Sequence, residues 1–297
     1  MPVMEPRPSA PGLPGSSSKK VIAVSTHDGH SLSAFIVQAG PSRDALIVFP
    51  AMGVTATLYL GFAEYCASRG LSVVLMDPRG VGSNARVSPG ASIEDWVSDL
   101  EQLIDLTAST HARVHYVGHS MGGQLYGLVA NEDRLSRVAF VSSSAGTWWK
   151  YKQPSTTLLA AFLMVGFIPV SVALSGRARV SLLGLGHDLP GGAASEWARW
   201  CRRPRYIADE RQVYAGYRHD QVEREVLCVR VADDDVATKP AVEALQQLYP
   251  RVQFRDHVVE APFPIGHVGF FRRASARFWE PLVDYLLGGA ASAGRSP

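Results

Sequence analysis

Five apolar runs, each bounded by turn residues, do most to limit what this chain can become: Ala45–Phe49, Leu71–Met76, Val114–Val117, Val138–Val141 and Val226–Val231. The first reads Ala-Leu-Ile-Val-Phe without alternation, the pattern of a strand covered on both faces. Helical spacing fills the gaps. Leu58 to Arg69 ends at Gly70, and Ile93, Trp96, Val97, Leu100, Leu103 and Ile104 recur at three and four residues behind Ser92-Ile93-Glu94-Asp95. That tetrad resembles a capping box with Asp in the place of the usual Glu or Gln. Strands and helices that alternate in order predict an α/β fold, a mostly parallel sheet flanked by helices.

Ahead of these runs, Val21–Val24, a turn at His27-Asp28-Gly29-His30 and Leu32–Val37 read as a hairpin. The expected organisation is a disordered tail over 1–19, a core over 20–146 and 226–288, an inserted helical cap over 147–225, and a flexible tail over 289–297. Late in the chain, Pro240 to Leu248 reads as a helix, Val252 to Val259 as a strand and Ala274 to Leu287 as a helix.

The third run leads into Gly118-His119-Ser120-Met121-Gly122-Gly123, after which Gln124, Leu125, Tyr126, Leu128 and Val129 have helical spacing. Strand, sharp turn and helix in succession force Ser120 into a strained backbone and bring neighbouring main chain close. Small residues two before and two after it are then a steric need. The hydroxyl stands clear of the sheet at a helix N-terminus, where the Met121 amide faces an approaching oxygen. Ser120 is the candidate nucleophile. Gly-x-Ser-x-Gly also occurs in plain loops, and it is the setting that separates the two readings.

A serine hydroxyl needs a base within reach and a group to orient that base. Of nine histidines, His267 lies in the Gly-flanked loop after the last strand, where it reaches the carboxyl edge of the sheet. His119 beside the serine is expected to pack under the turn, His187 belongs to the insertion and His257 to a strand. The acidic triplet Asp233-Asp234-Asp235 follows the fifth run and gives the chain order Ser, Asp, His. Asp77 and Arg79, in a Pro- and Gly-rich corner, are expected to hold that corner's shape.

The region from Thr147 to Glu225 breaks the alternation and holds Trp148, Trp149, Trp197 and Trp200. Pro154 to Gly176 is uncharged and long enough to consider as a membrane span. Pro154, Gly166, Pro169 and Gly176 interrupt it, and an apolar lid over a pocket needs the same composition, so a lid is the expectation and membrane insertion or docking the alternative. The formal charge of +2, with Lys and Arg scattered, implies no nucleic-acid surface. Cys66, Cys201 and Cys228 are odd in number and lie in apolar stretches, which fits reduced core thiols in a cytoplasmic protein. No metal-ligand spacing and no dinucleotide-binding pattern is present, so no cofactor is expected.

From about Val21 to Leu287 the chain resembles an α/β-hydrolase, more closely a bacterial group of predicted serine hydrolases with an inserted cap. The closer resemblance rests on Gly118–Leu125, Leu185-Gly186-His187-Asp188-Leu189-Pro190, Trp197-Ala198-Arg199-Trp200-Cys201 and Ile265–Phe271. It implies a triad of Ser120, His267 and one aspartate. The superfamily spacing of a small residue, two variable positions and the acid maps from Ala232 onto Asp235, with Asp234 and then Asp233 as alternatives. It also implies an oxyanion site from the Met121 amide and one from the loop after Phe49. Pro50 has no N–H, so Ala51 is the first candidate and Met52 the second. Phe49-Pro50 stands where many relatives carry His-Gly, and Ala232 where Gly is common. The implied reaction is hydrolysis of a carboxylic ester, thioester or activated amide of a hydrophobic small molecule through an acyl-enzyme. Acyl transfer on the same triad, a lyase or cyclase reaction, and a non-catalytic binding protein are the alternatives, and oligomeric state is unread.

Overall fold

A computed structural model describes residues 18–288; of the tails expected over 1–19 and 289–297, residues 1–17 and 289–297 lie outside the described residues, and Ser18 and Lys19 belong to the first strand. Along the chain run β1 (Ser18–Ser25), β2 (Ser31–Gln38), β3 (Asp44–Phe49), α1 (Leu60–Ser68), β4 (Ser72–Met76), α2 (Ile93–Thr110), β5 (Arg113–His119), α3 (Met121–Leu125) and β6 (Leu135–Val141). The insertion then contributes α4 (Pro154–Ala161), α5 (Ile168–Ser175), β7 (Arg177–Ala178), β8 (Leu189–Pro190) and α6 (Gly191–Cys201). The remainder is β9 (Glu225–Val231), α7 (Lys239–Gln246), β10 (Gln253–Val259) and α8 (Glu280–Leu287).

Eight strands form one sheet in the order β1-β2-β4-β3-β5-β6-β9-β10. β1 and β2 pair antiparallel, as does β2 with β4, and every other pair is parallel. The hairpin begins earlier than expected, since Ser18 and Lys19 already pair with Gln38 and Val37. The continuous apolar runs are explained by the two faces: in β3, Ile47 and Phe49 pack with Trp96 and Leu100 of α2, while Leu46 and Val48 pack with Phe62 of α1 and Leu282 of α8. Each such side chain, fully buried, contributes roughly 1.5–3 kcal/mol, so a polar residue on either face of β3 would cost core.

Ser92 accepts from the Asp95 N–H at 3.1 Å and its own N–H donates to Asp95 at 2.7 Å, so the capping box forms with Asp in the Glu position. The last expected helix divides: Arg273–Phe278 is a 3-10 turn, and α8 starts afresh at Glu280 with a proline in its first turn. Pro281 has no N–H for a helix running through it, but suits a helix start.

In the insertion, Pro154 to Ser175 is one 22-residue helix where breaks were expected. Between α4 and α5 the turn widens to a π-helix over Phe162–Phe167, with the Ile168 N–H bonding Leu163 O five residues back. The wide turn directly precedes Pro169, whose ring would clash with the preceding turn of a regular helix. Gly176 ends the helix in the left-handed region at φ 69°.

Candidate active site

β5 and α3 meet at Ser120, which has φ 50° and ψ −104°, a conformation that L-residues adopt only when the surroundings impose it. Those surroundings are close. A Cβ on Gly122 would lie 2.7 Å from Phe49 O, and one on Gly118 would strike the Gly122–Gly123 backbone. The Ser120 N–H donates to Val141 O at 3.0 Å, fastening the turn to β6.

His267 Nε2 lies 2.9 Å from Ser120 Oγ, and His267 Nδ1 lies 2.8 Å from Asp234 Oδ2. A carboxylate only accepts, so Nδ1–H donates to Asp234 and Nε2 is left to accept the serine proton. The carboxylate is itself fixed: Asp234 Oδ1 accepts from the Val236 and Ala237 N–H groups, each at 2.8 Å. Burial alone would raise the Asp234 pKa. The proximity of His267 and the hydrogen bonds from His267, Ala237 and Val236 outweigh it and hold the group below the usual carboxylate range.

The carboxylate at His267 is therefore that of Asp234, and not of Asp235 as the spacing from Ala232 suggests. β9 ends at Val231, and a turn closed by the Asp234 N–H on Val231 O at 3.2 Å carries the third residue past the strand inward. Asp234 then caps the next turn through its own side chain. Asp235 is half-buried and holds the insertion through its carbonyl, which accepts from Lys152 N–H at 3.0 Å. Asp233 is exposed and accepts from Ile265 N–H at 2.8 Å and Gly266 N–H at 3.0 Å, tethering the loop that bears His267.

Ala51, the first candidate for the second oxyanion donor, is also displaced. Its N–H donates to Tyr59 Oη at 3.0 Å in a buried site. Tyr59 Oη lies 2.7 Å from His119 Nδ1, and His119 Nε2 lies 3.0 Å from His267 O. The carbonyl can only accept, which fixes every direction: His119 Nε2–H donates to His267 O, Tyr59 O–H donates to His119 Nδ1, and the tyrosine oxygen takes the Ala51 N–H. Burial first, then the proximity of His267, pushes the His119 pKa down to about 3, and burial pushes the Tyr59 phenol above its ordinary range. Both stay neutral and the chain of bonds keeps its polarity. The next amide is Met52; among the described residues neither its N–H nor that of Met121 has an acceptor. Tyr59 escapes sequence reasoning because its partner lies 60 residues away and its own neighbours read as ordinary helix.

An apolar cavity of about 200 Å³ adjoins Ser120 and His267, bordered by Met52 and, from the insertion, Leu159, Leu163, Met164 and Trp197. Asp77 and Arg79 stay outside it. The Asp77 carboxylate accepts from the Ala56 and Ser83 N–H groups at 2.6 and 2.8 Å, and buried Arg79 binds Asp99 and Asp28. All three cysteines are free and buried, and burial pushes the Cys228 thiol up to about 12. Among the described residues no cluster of His, Cys, Asp and Glu could hold a metal ion.

Residues 40–253 match the family described as Serine aminopeptidase, S33. No curated protein matches the chain. Solved structures do. A soluble variant of monoglyceride lipase from Saccharomyces cerevisiae in complex with a substrate analog is 12% identical, covers 94% of this chain and 99% of its own, and superposes with a TM-score of 0.66. The esterase EaEST from Exiguobacterium antarcticum is 17% identical, with 90% and 99% covered and a TM-score of 0.63. Est1E from Butyrivibrio proteoclasticus, with ferulic acid bound, is 14% identical, with 90% and 98% covered and a TM-score of 0.60. At these identities the likeness is one of fold.

Proposed function

The chain belongs to the family described as Serine aminopeptidase, S33, on an α/β-hydrolase fold, and from that premise we propose that it is an esterase-type serine hydrolase acting on an apolar acyl compound through an acyl-enzyme. The observation that carries this reading is the run of two hydrogen bonds, Ser120 Oγ to His267 Nε2 at 2.9 Å and His267 Nδ1 to Asp234 at 2.8 Å, at the mouth of an apolar cavity.

In the proposed reaction Ser120 Oγ attacks the acyl carbon while His267 Nε2 takes its proton. Asp234 holds the imidazole in the tautomer that leaves Nε2 free and stabilises the cation once formed. The carbonyl oxygen, now negative, is held by the Met121 and Met52 amides. His267 returns its proton to the leaving alcohol; a water then repeats the sequence on the acyl-enzyme and frees the acid and Ser120. One oxyanion donor is worth about 3–4 kcal/mol, so the Met52 loop contributes substantially to the rate.

Residues 147–225 act as a cap, closing the cavity with Leu163, Met164 and Trp197. At about 30 Å³ per water-sized group, the cavity takes roughly seven such groups, a short acyl chain or one ring. The test is a series of p-nitrophenyl esters. Butyryl to octanoyl esters are expected to give the highest kcat/KM and palmitoyl the lowest, with all turnover and fluorophosphonate labelling lost in Ser120→Ala. Turnover retained in Ser120→Ala would overturn the acyl-enzyme reading.

A further inference from the structure

The 22-residue helix from Pro154 to Ser175 has two unlike sides. Ala160, Met164 and Ile168, spaced by four, are buried in the protein, and Leu163 and Met164 wall the cavity beside Ser120. The opposite side is bare. Leu158, Phe162, Val165, Val170 and Leu174 are 70%, 54%, 57%, 57% and 83% exposed, and only 17% of the helix's most apolar window is buried. Such exposure is concentrated here: of the fourteen large apolar residues exposed among the described residues, ten lie between Trp149 and Leu185.

We propose that this outer face docks the protein on the surface of a lipid bilayer, placing the mouth of the catalytic cavity at the lipid boundary. Four features favour lipid over a protein partner. No ionisable side chain falls between Pro154 and Gly176, so the length of the face itself offers a protein partner no charged group to pair with. Its ends carry residues suited to a headgroup layer: exposed Trp149 with Lys150 and Lys152 before it, and exposed Arg179 after it, while Arg177 is turned inward onto Gly80 O. An open apolar groove of about 520 Å³ lies along it, bordered by Phe162, Phe167, Val170, Leu174 and Leu182, with room for a lipid tail. Leu159 is 43% exposed and also lines the catalytic cavity, so apolar surface continues from the outer face to the site.

The helix lies on the bilayer and does not cross it. Its length suits a span, but Met164 and Ile168 are part of the protein core, and a crossing would tear out one wall of the cavity. The use made of the docking, delivery of membrane-dissolved esters, rests on the proposed hydrolase reading. The docking itself does not.

The experiment is co-sedimentation of the full chain with vesicles of phosphatidylcholine, with and without phosphatidylglycerol, using wild type, Ser120→Ala and the double variant Leu158→Glu/Val165→Glu. Neither Leu158 nor Val165 lines the catalytic cavity. Wild type and Ser120→Ala should pellet alike, more with the anionic lipid, and the double variant should partition at least tenfold less. Its circular dichroism and its kcat/KM on soluble p-nitrophenyl butyrate should stay at wild-type values, while hydrolysis of a butyryl ester of a long-chain alcohol, dissolved in vesicles, falls. Failure of wild type to pellet, or pelleting unchanged by the glutamates, would overturn the proposal. So would a concentration-dependent dimer, abolished by the glutamates, in a protein that ignores vesicles, since a second copy would then cover the face. Vesicle binding without any serine-dependent turnover would keep the docking and remove only the hydrolase reading.

Discussion

Replacing Asp234 with asparagine tests the assignment of the acid most sharply, because the surrounding bonds dictate which way the new amide must sit. Asp234 Oδ1 accepts two backbone N–H groups at 2.8 Å, and Oδ2 faces His267 Nδ1 at 2.8 Å. An asparagine keeps its oxygen on the two N–H groups. The reversed orientation would aim donors at donors and leave two buried amides unmet, at about 1–3 kcal/mol each. Its NH₂ therefore points at His267 Nδ1, which must offer a lone pair and send its proton to Nε2. Nε2 then confronts Ser120 with a hydrogen in place of a lone pair, and the imidazolium loses its counter-charge. The same substitution in a Ser-His-Asp protease lowers kcat by roughly 10⁴, which corresponds to about 5.5 kcal/mol. We expect a loss of that order in kcat for p-nitrophenyl butyrate with little change in KM, and less than about a threefold change for Asp235→Asn, whose contact to Lys152 is through its carbonyl. Thermal unfolding shows whether each variant is folded. If folded Asp234→Asn stays within tenfold of wild type, or Asp235→Asn falls a thousandfold, the assignment is wrong.

Tyr59→Phe removes the hydroxyl between Ala51 N–H and His119 Nδ1, leaving two buried polar groups unpaired. Urea unfolding should show a loss of roughly 2–4 kcal/mol, and kcat should fall on the order of tenfold as the Met52 loop loosens, an effect absent if the phenol merely fills space. His115 is buried with neither ring nitrogen hydrogen-bonded, and burial lowers its pKa to about 4. A group neutral in the fold and titrating near 6.5 when unfolded contributes its full stability above pH 6.5 and loses it as pH falls toward 4. His115→Leu should therefore flatten the decline in urea stability over that window by about 1.4 kcal/mol per pH unit. An unchanged slope would show that His115 is already protonated in the folded protein.

Much of the fold was legible in the sequence because the signals that carry it are local. Continuous apolar runs such as Ala45–Phe49 arise where a strand is covered on both faces, and the packing of β3 against α1 and α2 is the reason for the run. Gly118 and Gly122 announce the turn at Ser120 because a Cβ at either would strike backbone within the same strand-turn-helix unit or at the adjoining end of β3. The placement of His267 close to Ser120 was likewise readable from its loop.

What the tertiary structure alone decided are the pairings among groups far apart in the chain. Three consecutive aspartates carry identical chemistry, and only the turn after β9 determines that Asp234 meets His267, Asp233 meets the loop at Ile265, and Asp235 turns toward Lys152. Ala51 and Met52 are equivalent amides in sequence, and it is Tyr59, positioned by a different element, that engages one and leaves the other free. The helix from Pro154 to Ser175 shows the same division: its composition was plain, but which side is bare depends on where the core lies beneath it. Local sterics and periodicity are written in neighbouring residues; hydrogen-bond partners and exposed faces are settled only when distant segments compete for the same space.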